Sequence, residues 1–421
     1  MEKIRINGGR PLKGTIEISG MKNAALPILI GSILTEETCE IENLPDIDDV
    51  RITLSILSSM GAVIRENWEE KTVSIDTTNI VCGSAPPELA SQMRASYYIA
   101  GAELGRFGRT SVGCPGGCDL GERPIDQHIK AFEAIGAVVD ASNGLIEGEA
   151  PNGIHNTEFC FDINTVGGTI NLMLAAVKAP GLTVIENAAR EPHIVDLANF
   201  LNTCGAHISG AGTDTIKIKG VDKLYGCSYT IIPDMIEAGT FMVAAAATKG
   251  DLVIDNIIPK HLESITQKLR SIGVEVIEND ESVEVRFRDG LKSISLRALP
   301  YPGFPTDMQP QMCTLMCLAD KGLSIITDGV YNNRFKYVNQ LKKMGADIHI
   351  NERSAIVSGH GKLNGSTVKA VDLRAGAAMI IAGLAAEGTT EIEDIHHIER
   401  GYTDIVGKLR GVGADICKID E

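Results

Sequence analysis

A helix-like segment that closes on Gly-Ala, once Gly-Val, ahead of an apolar strand recurs six times, at Gly61, Gly136, Gly205, Gly273, Gly345 and Gly413. The intervals of 75, 69, 68, 72 and 68 residues exceed the roughly 20–50 residues of a solenoid step, so each copy is a small α/β unit in its own right. Each opens on a helix rich in Ala, Leu, Ile and Met: Ala24–Leu34, Ala95–Leu104, Thr169–Val177, Ala238–Ala247, Gln309–Leu318 and Ala375–Ala386. These segments are apolar almost all round, a pattern that asks for burial on every side. A β-branched strand follows, such as Leu182–Glu186 or Leu323–Thr327, and then a second, amphipathic helix, such as Asp48–Met60 or Ile194–Thr203. The recurrent glycine sits just beyond that helix, where a left-handed residue closes it.

Six copies divide most simply into two domains of three. The boundaries follow the repeats: residues 21–232 form one domain, and residues 1–20 join 233–421 in the other, so the chain crosses twice. A chain of 421 residues buries enough apolar surface to fold without disulfides or metal. Its longest uncharged apolar run, Ala375–Ala386, is shorter than the roughly 20 residues of a membrane span. Met1–Arg10 has no apolar core of a secretion signal, and a cytoplasmic location is expected.

Charge narrows the partners. Lys and Arg number 39 against 55 Asp and Glu, a formal net charge of −16, which argues against general nucleic-acid or membrane binding. A small anion gripped by a few converging cations stays compatible with it. Cations recur where such an anion would bind: Lys22, Arg94 and Arg374 stand at the starts of apolar helices, where the dipole disfavours them. Asp234, Asp307 and Asp372 stand at similar positions, and each reads equally well as a helix cap. A second set, Arg123, Arg190, Arg334 and Arg400, falls in the loops after the first strands. Four arginines at equivalent points of a repeat suggest a polyanionic ligand, most simply a phosphate with a carboxylate.

The ten cysteines are scattered with no zinc-ligand spacing, so no metal is expected. Cys118 stands apart from them, in Pro115-Gly116-Gly117-Cys118 five residues before Arg123, where nearby cations favour a thiolate.

Taken in order, Lys22-Asn23, Met93-Arg94-Ala95-Ser96, Pro115–Cys118 with Gly121-x-Arg123-Pro124, Phe304–Gln309, Asn333-Arg334-Phe335, Asp372–Ala375 and Arg400-Gly401-Tyr402 resemble the UDP-N-acetylglucosamine 1-carboxyvinyltransferases. These are the enolpyruvyl transferases that begin bacterial peptidoglycan synthesis, and the resemblance covers essentially the whole chain. It implies an α/β fold of two inside-out, barrel-like domains, each of three βαβαββ units, with the active site in the interdomain cleft. It also implies two small-molecule substrates, phosphoenolpyruvate and UDP-N-acetylglucosamine, and no cofactor.

The resemblance carries roles as well. Cys118 would protonate the phosphoenolpyruvate methylene and be the target of fosfomycin, and Asp307 would take the sugar hydroxyl proton. Lys22, Arg123 and Arg400 would hold the phosphate, Arg334 and Arg374 the carboxylate, with Asn23 beside both substrates. Arg94, Arg123, Pro124, Ile125, Asp126, Gln127, Thr165, Val166, Gly167 and Val330 would line the sugar-nucleotide site. The glycine-rich Cys118 loop is expected to close over bound substrate. Ile163, Asn332 and the Lys336-Tyr337 pair depart from the common pattern of the family.

Overall fold

A computed structural model describes residues 2–114, 116 and 125–420. Its repeating element is clearest from Ser295 onward. Strand Ser295–Ala298 leads to helix Gln309–Cys317, strand Leu323–Asp328, helix Val338–Lys343 and the hairpin Asp347–Asn351 with Ser354–Ser358. Ser295–Ala298 pairs parallel with Leu323–Asp328, and the hairpin adds two antiparallel strands to the same sheet. This βαβαββ order makes five four-stranded sheets, and a sixth has three strands. None of these sheets closes into a barrel among the described residues, so the barrel-like expectation reduces to separate short sheets around buried helices.

The described residues separate into two compact units. One is built from residues 2–19 and 233–420, the other from residues between 20 and 232. In the first, strand Lys3–Asn7 lies antiparallel between Thr389–Glu393 and Asp415–Ile419, and Lys13–Glu17 runs parallel to Asp251–Asp255. In the second, Ser228–Thr230 runs parallel to Thr38–Glu42. Each segment that leads into a crossing thus supplies the opening strand of a repeat far away in sequence.

The apolar helices are inside, as their composition requires. Every residue of Met235–Ala247 and of Gln309–Cys317 is buried, and in Lys22–Gly31 all but Asn23. Small residues set how closely these helices approach. A Cβ on Gly101 would lie 2.6 Å from the Asn171 carbonyl oxygen, and one on Gly105 2.6 Å from that of Leu174. Helix Tyr98–Phe107 can therefore lie against Val166–Ala176 only because glycine recurs at i and i+4.

All six recurrent glycines have positive φ, between +90° and +109°. At Gly413 the amide bonds the Arg410 carbonyl, and the following Ala414 amide bonds that of Leu409. The same pair of bonds recurs at the other five, as in Ala62 to Leu57 and Ala206 to Leu201. This is the Schellman closure, and at these φ values it favours a residue without a Cβ. Gly413 (φ +96°) and Gly411, which has no positive φ, both have open space where a Cβ would project. Gly413→Ala is expected to destabilise the fold by about 1 kcal/mol, whereas Gly411→Ala, inside the helix, should stabilise by roughly 0.5 kcal/mol. Denaturant midpoints of the two variants should move in opposite directions.

In the unit of residues 20–232, the outer helix Pro192–Thr203 carries a buried carboxylate. Asp196 accepts a hydrogen bond from the Tyr229 hydroxyl at 2.5 Å and from the Ile232 amide at 3.3 Å. Burial pushes its carboxyl up to about 6 in spite of those bonds. A raised carboxylate binds more protons folded than unfolded, so stability falls as pH rises from about 4 to about 6. Asp196→Asn should remove a pH-dependent difference of about 3 kcal/mol across that window, read from unfolding midpoints at pH 4 and pH 6.5.

No helix among the described residues is long and apolar enough to cross a membrane.

Candidate active site

The residues singled out in the sequence fall into two groups, one in each unit. In the unit of residues 20–232, Lys22 begins the inner helix Lys22–Gly31 and its Nζ lies 2.7 Å from Asp49 Oδ2. Both side chains are at least 90% buried, so the cation that the helix dipole disfavours is balanced by a carboxylate of the neighbouring outer helix Asp48–Ser59. One turn along that helix, the Thr53 hydroxyl contacts Met93 Sδ at 3.5 Å, which places the start of the next inner segment beside Lys22's partner.

Arg94 heads a 3-10 turn, Arg94–Tyr97, rather than the α-helix itself, which begins at Tyr98. Its guanidinium stands 5.5 Å from the Tyr97 ring centre, and Tyr97 meets His128 edge-on at 4.6 Å. A Cβ on Gly167 would strike the Tyr97 hydroxyl and come within 2.8 Å of His128 Cε1. Gly167 is thus required by packing, and it brings the Val166 turn against the Arg94 turn and the helix Asp126–Ala134.

Thr165 caps that inner helix, accepting from the Gly168 amide at 3.2 Å. Gln127 accepts from the Asp162 amide and donates to the Asp162 and Asp126 carboxylates. Arg94, Gln127 and the 165–167 turn are therefore one cluster, with Ile125 and Asp126 at the head of its helix. Ile163 beside it is 60% exposed.

His128 is the member that sequence reasoning passed over. Burial, then the Arg94 cation, lowers it to about 4, so it is neutral at pH 7. Asn171 accepts from the Gly101 amide through Oδ1 and sits 2.9 Å from His128 Nδ1 through Nδ2. That bond makes Nδ1 the acceptor and assigns the ring proton to Nε2.

The other unit separates the three helix-start aspartates. Asp234 accepts from the Ile236 and Glu237 amides, and Asp372 from those of Arg374 and Ala375; both are caps. Asp307 is not at a cap position: Pro305 holds that of Thr306–Met308 and Met308 that of Gln309–Cys317. Asp307 lies in the 3-10 turn Thr306–Met308 and faces two guanidiniums, Arg334 Nη2 at 3.4 Å and Arg374 Nε at 3.1 Å. The arginine side chains are 2% and 4% exposed, and Asp307 is 28% exposed.

Burial opposes the charge on both arginines. Surrounding oxygens more than restore it, Asp307 foremost at Arg334 and Tyr402 at Arg374. Two guanidiniums share one carboxylate, and Arg334 Nε and Arg374 Nη1 are buried with no hydrogen-bond partner among the described residues. Leaving such donors unmatched is costly, and a planar, multi-oxygen anion matches them.

A buried carboxylate outside the sequence expectations shapes this group. Asp328 accepts from the Thr306 hydroxyl at 2.6 Å and from the Val330 and Tyr331 amides at 2.8 Å each. It joins the turn that carries Asp307 to the loop before Arg334, and leaves the Val330 side chain 38% exposed. Tyr402 lies under Arg374 at 5.4 Å and contacts the Thr240 hydroxyl at 3.0 Å. Tyr337, one of the departures from the family pattern, is fully buried and bonds Gln309 at 3.1 Å.

Arg400 ends the short helix His396–Glu399 and is half-buried. Arg190 differs from Arg334 and Arg400: its side chain is 42% exposed and reaches Asp214 at 3.7 Å. Cys118, Arg123 and Pro124 lie outside the described residues.

The profile of the EPSP synthase (3-phosphoshikimate 1-carboxyvinyltransferase) family matches residues 6–409. The chain is 54% identical over 421 residues to a UDP-N-acetylglucosamine 1-carboxyvinyltransferase 3 of Caldanaerobacter subterraneus, covering all of both chains. It is 52% identical over 420 residues to a UDP-N-acetylglucosamine 1-carboxyvinyltransferase of Clostridium botulinum, again over the full length. Among solved structures, the enolpyruvyl transferase NikO from Streptomyces tendae superposes with a TM-score of 0.89 at 24% identity, over 99% of each chain. EPSP synthase from Acinetobacter baumannii does so at 0.77 with 19% identity, over the whole of both. At these identities the two structures speak for the fold.

Proposed function

The chain belongs to the EPSP synthase family of enolpyruvyl transferases, and we propose that it transfers the carboxyvinyl group of phosphoenolpyruvate to the 3′-hydroxyl of UDP-N-acetylglucosamine, releasing phosphate. The family profile is titled for another acceptor, shikimate 3-phosphate. The full-length relatives at 52–54% identity, however, are named for UDP-N-acetylglucosamine, and the acceptor follows them. In that role the protein would open peptidoglycan synthesis.

The observation that carries the chemical reading is Asp307 between two buried, incompletely matched guanidiniums. Arg334 and Arg374 take the phosphoenolpyruvate carboxylate, which supplies acceptors for the donors that Asp307 leaves over. Lys22, Arg123 and Arg400 take the phosphate, with Asn23 beside both substrates. Asp307, released in part from its arginines, accepts the proton of the sugar hydroxyl as its oxygen attacks C2 of the enolpyruvate. Cys118 delivers a proton to C3. The resulting tetrahedral adduct loses a proton from C3 and expels phosphate, which restores the double bond.

Positive groups fixed in a desolvated setting stabilise the adduct without reorganising. Arg94, Arg123, Pro124, Ile125, Asp126, Gln127, Thr165, Val166 and Gly167 hold the nucleotide, and Val330 touches the sugar. The neutral His128 positions Gly167 and Tyr97 without adding a charge.

Phosphate release on mixing the protein with phosphoenolpyruvate and UDP-N-acetylglucosamine tests the reading, with shikimate 3-phosphate run in parallel. Release with the sugar nucleotide alone is the expected result. Release only with shikimate 3-phosphate would overturn the acceptor and keep the chemistry.

A further inference from the structure

Three cysteines far apart in sequence meet in the unit of residues 20–232. The sulfurs of Cys39, Cys204 and Cys227 all lie within 4.8 Å of one another, and those of Cys204 and Cys227 are 3.4 Å apart. Each comes from a segment whose backbone is fixed. Cys39 is in the strand Thr38–Glu42. Cys227 immediately precedes the strand Ser228–Thr230, and its carbonyl accepts the Glu40 amide at 2.8 Å. Cys204 follows the outer helix Pro192–Thr203, and its carbonyl accepts the Tyr225 amide at 2.8 Å. The three thiols are therefore held together by parallel strand pairing and by a helix closure, with no flexible loop to disperse them.

We propose that Cys39, Cys204 and Cys227 form a binding site for a thiophilic metal ion, of the class of Zn²⁺ or Cu⁺, distinct from the catalytic residues. A metal–sulfur distance of about 2.3 Å places ligand sulfurs roughly 3.8–4.0 Å apart in tetrahedral or trigonal geometry. The observed range, from 3.4 Å to at most 4.8 Å, brackets that value, so small rotations about the Cα–Cβ bonds suffice. No imidazole or carboxylate joins the three sulfurs among the described residues. An all-sulfur set selects soft ions over calcium or magnesium. Two of the cysteines are fully buried and Cys227 is part-exposed, which gives an ion one route in and one side on which water can complete its coordination.

The alternative for a buried free cysteine is a small apolar filler. Fillers have no reason to bring three sulfurs from positions 39, 204 and 227 within one coordination sphere. Binding exchanges thiol protons for the ion, so the affinity should rise with pH.

The test is competition for Zn²⁺, and separately for Cu⁺ under anaerobic reduction, between a chromophoric chelator and the full-length protein, its Cys227→Ser variant and its Cys39→Ala variant. Comparison against the variants cancels metal held by the other seven cysteines. The expected result is one equivalent of at least one of the two ions held at least tenfold more tightly by the unaltered protein than by Cys227→Ser, with circular dichroism unchanged. Cys227 is part-exposed, so its serine variant should fold even if Cys39→Ala does not. Equal stoichiometry and affinity in the unaltered and Cys227→Ser proteins for both ions would overturn the proposal. So would a freshly purified protein two hydrogens lighter with two fewer titratable thiols, if peptide mapping places the lost pair at Cys204 and Cys227, since those sulfurs would then be joined in a disulfide.

Discussion

Asp307→Asn should lower kcat by about 10²–10⁴-fold while the KM for phosphoenolpyruvate stays constant or falls. The two effects separate because the proposed mechanism gives Asp307 two jobs. As a base it accepts the proton of the attacking hydroxyl, and an amide cannot do so. As an anion it occupies part of Arg334 and Arg374, at 3.4 Å and 3.1 Å, and so competes with the substrate carboxylate for the same donors. Removing its charge abolishes the first function and relieves the second. A carboxylate serving only as a counter-charge for two buried arginines would give the opposite signature. Its loss would lower thermal stability, because unbalanced buried charge is costly, and would leave kcat close to its starting value. Steady-state kinetics with a parallel unfolding curve decides between them, and an unchanged kcat would remove Asp307 from the catalytic set.

The repeat could be read in the sequence because the constraint that produces it is local. A helix that closes at a φ of +90° to +109° strongly favours glycine there, and the preference recurs at each of the six turns. Burial of the inner helices is equally local, since a segment such as Met235–Ala247 has no polar face to turn outward. The choice among Asp234, Asp307 and Asp372 was harder, because each precedes an apolar helix. Pro310 held a usable signal: proline favours the first turn of a helix, and with the helix starting at Gln309, Asp307 lies one residue too early to cap it.

Other parts of the site were beyond local reading. Asp328 ends a strand and has no motif around it, and its value lies in joining Thr306 to the loop at Val330. Equivalence within a repeat also promised too much at Arg190, which occupies the same place as Arg334 yet pairs at the surface. A repeat fixes the backbone, and the role of a side chain depends on what its own unit packs against it. The thiol cluster shows the same limit. Cys39 and Cys227 are neighbours only because Ser228–Thr230 pairs in parallel with Thr38–Glu42, and no spacing rule spans such a contact.

Cys118→Ser should abolish turnover, or reduce it by about 10²–10⁴-fold, while UDP-N-acetylglucosamine binding stays within about threefold. The argument rests on acidity. A thiol, whose ordinary pKa lies near 8.5, can give a proton to the enolpyruvate carbon near neutral pH. A serine hydroxyl is of similar size but is far too weak an acid to do so. The same substitution removes the nucleophile, so time-dependent inactivation by fosfomycin, expected for the unaltered protein in the presence of UDP-N-acetylglucosamine, should disappear. Calorimetry separates chemistry from structure. Retained sugar-nucleotide binding with lost phosphate release would assign Cys118 to proton transfer. Simultaneous loss of binding would make Cys118 a structural residue and leave the protonation of C3 to another group.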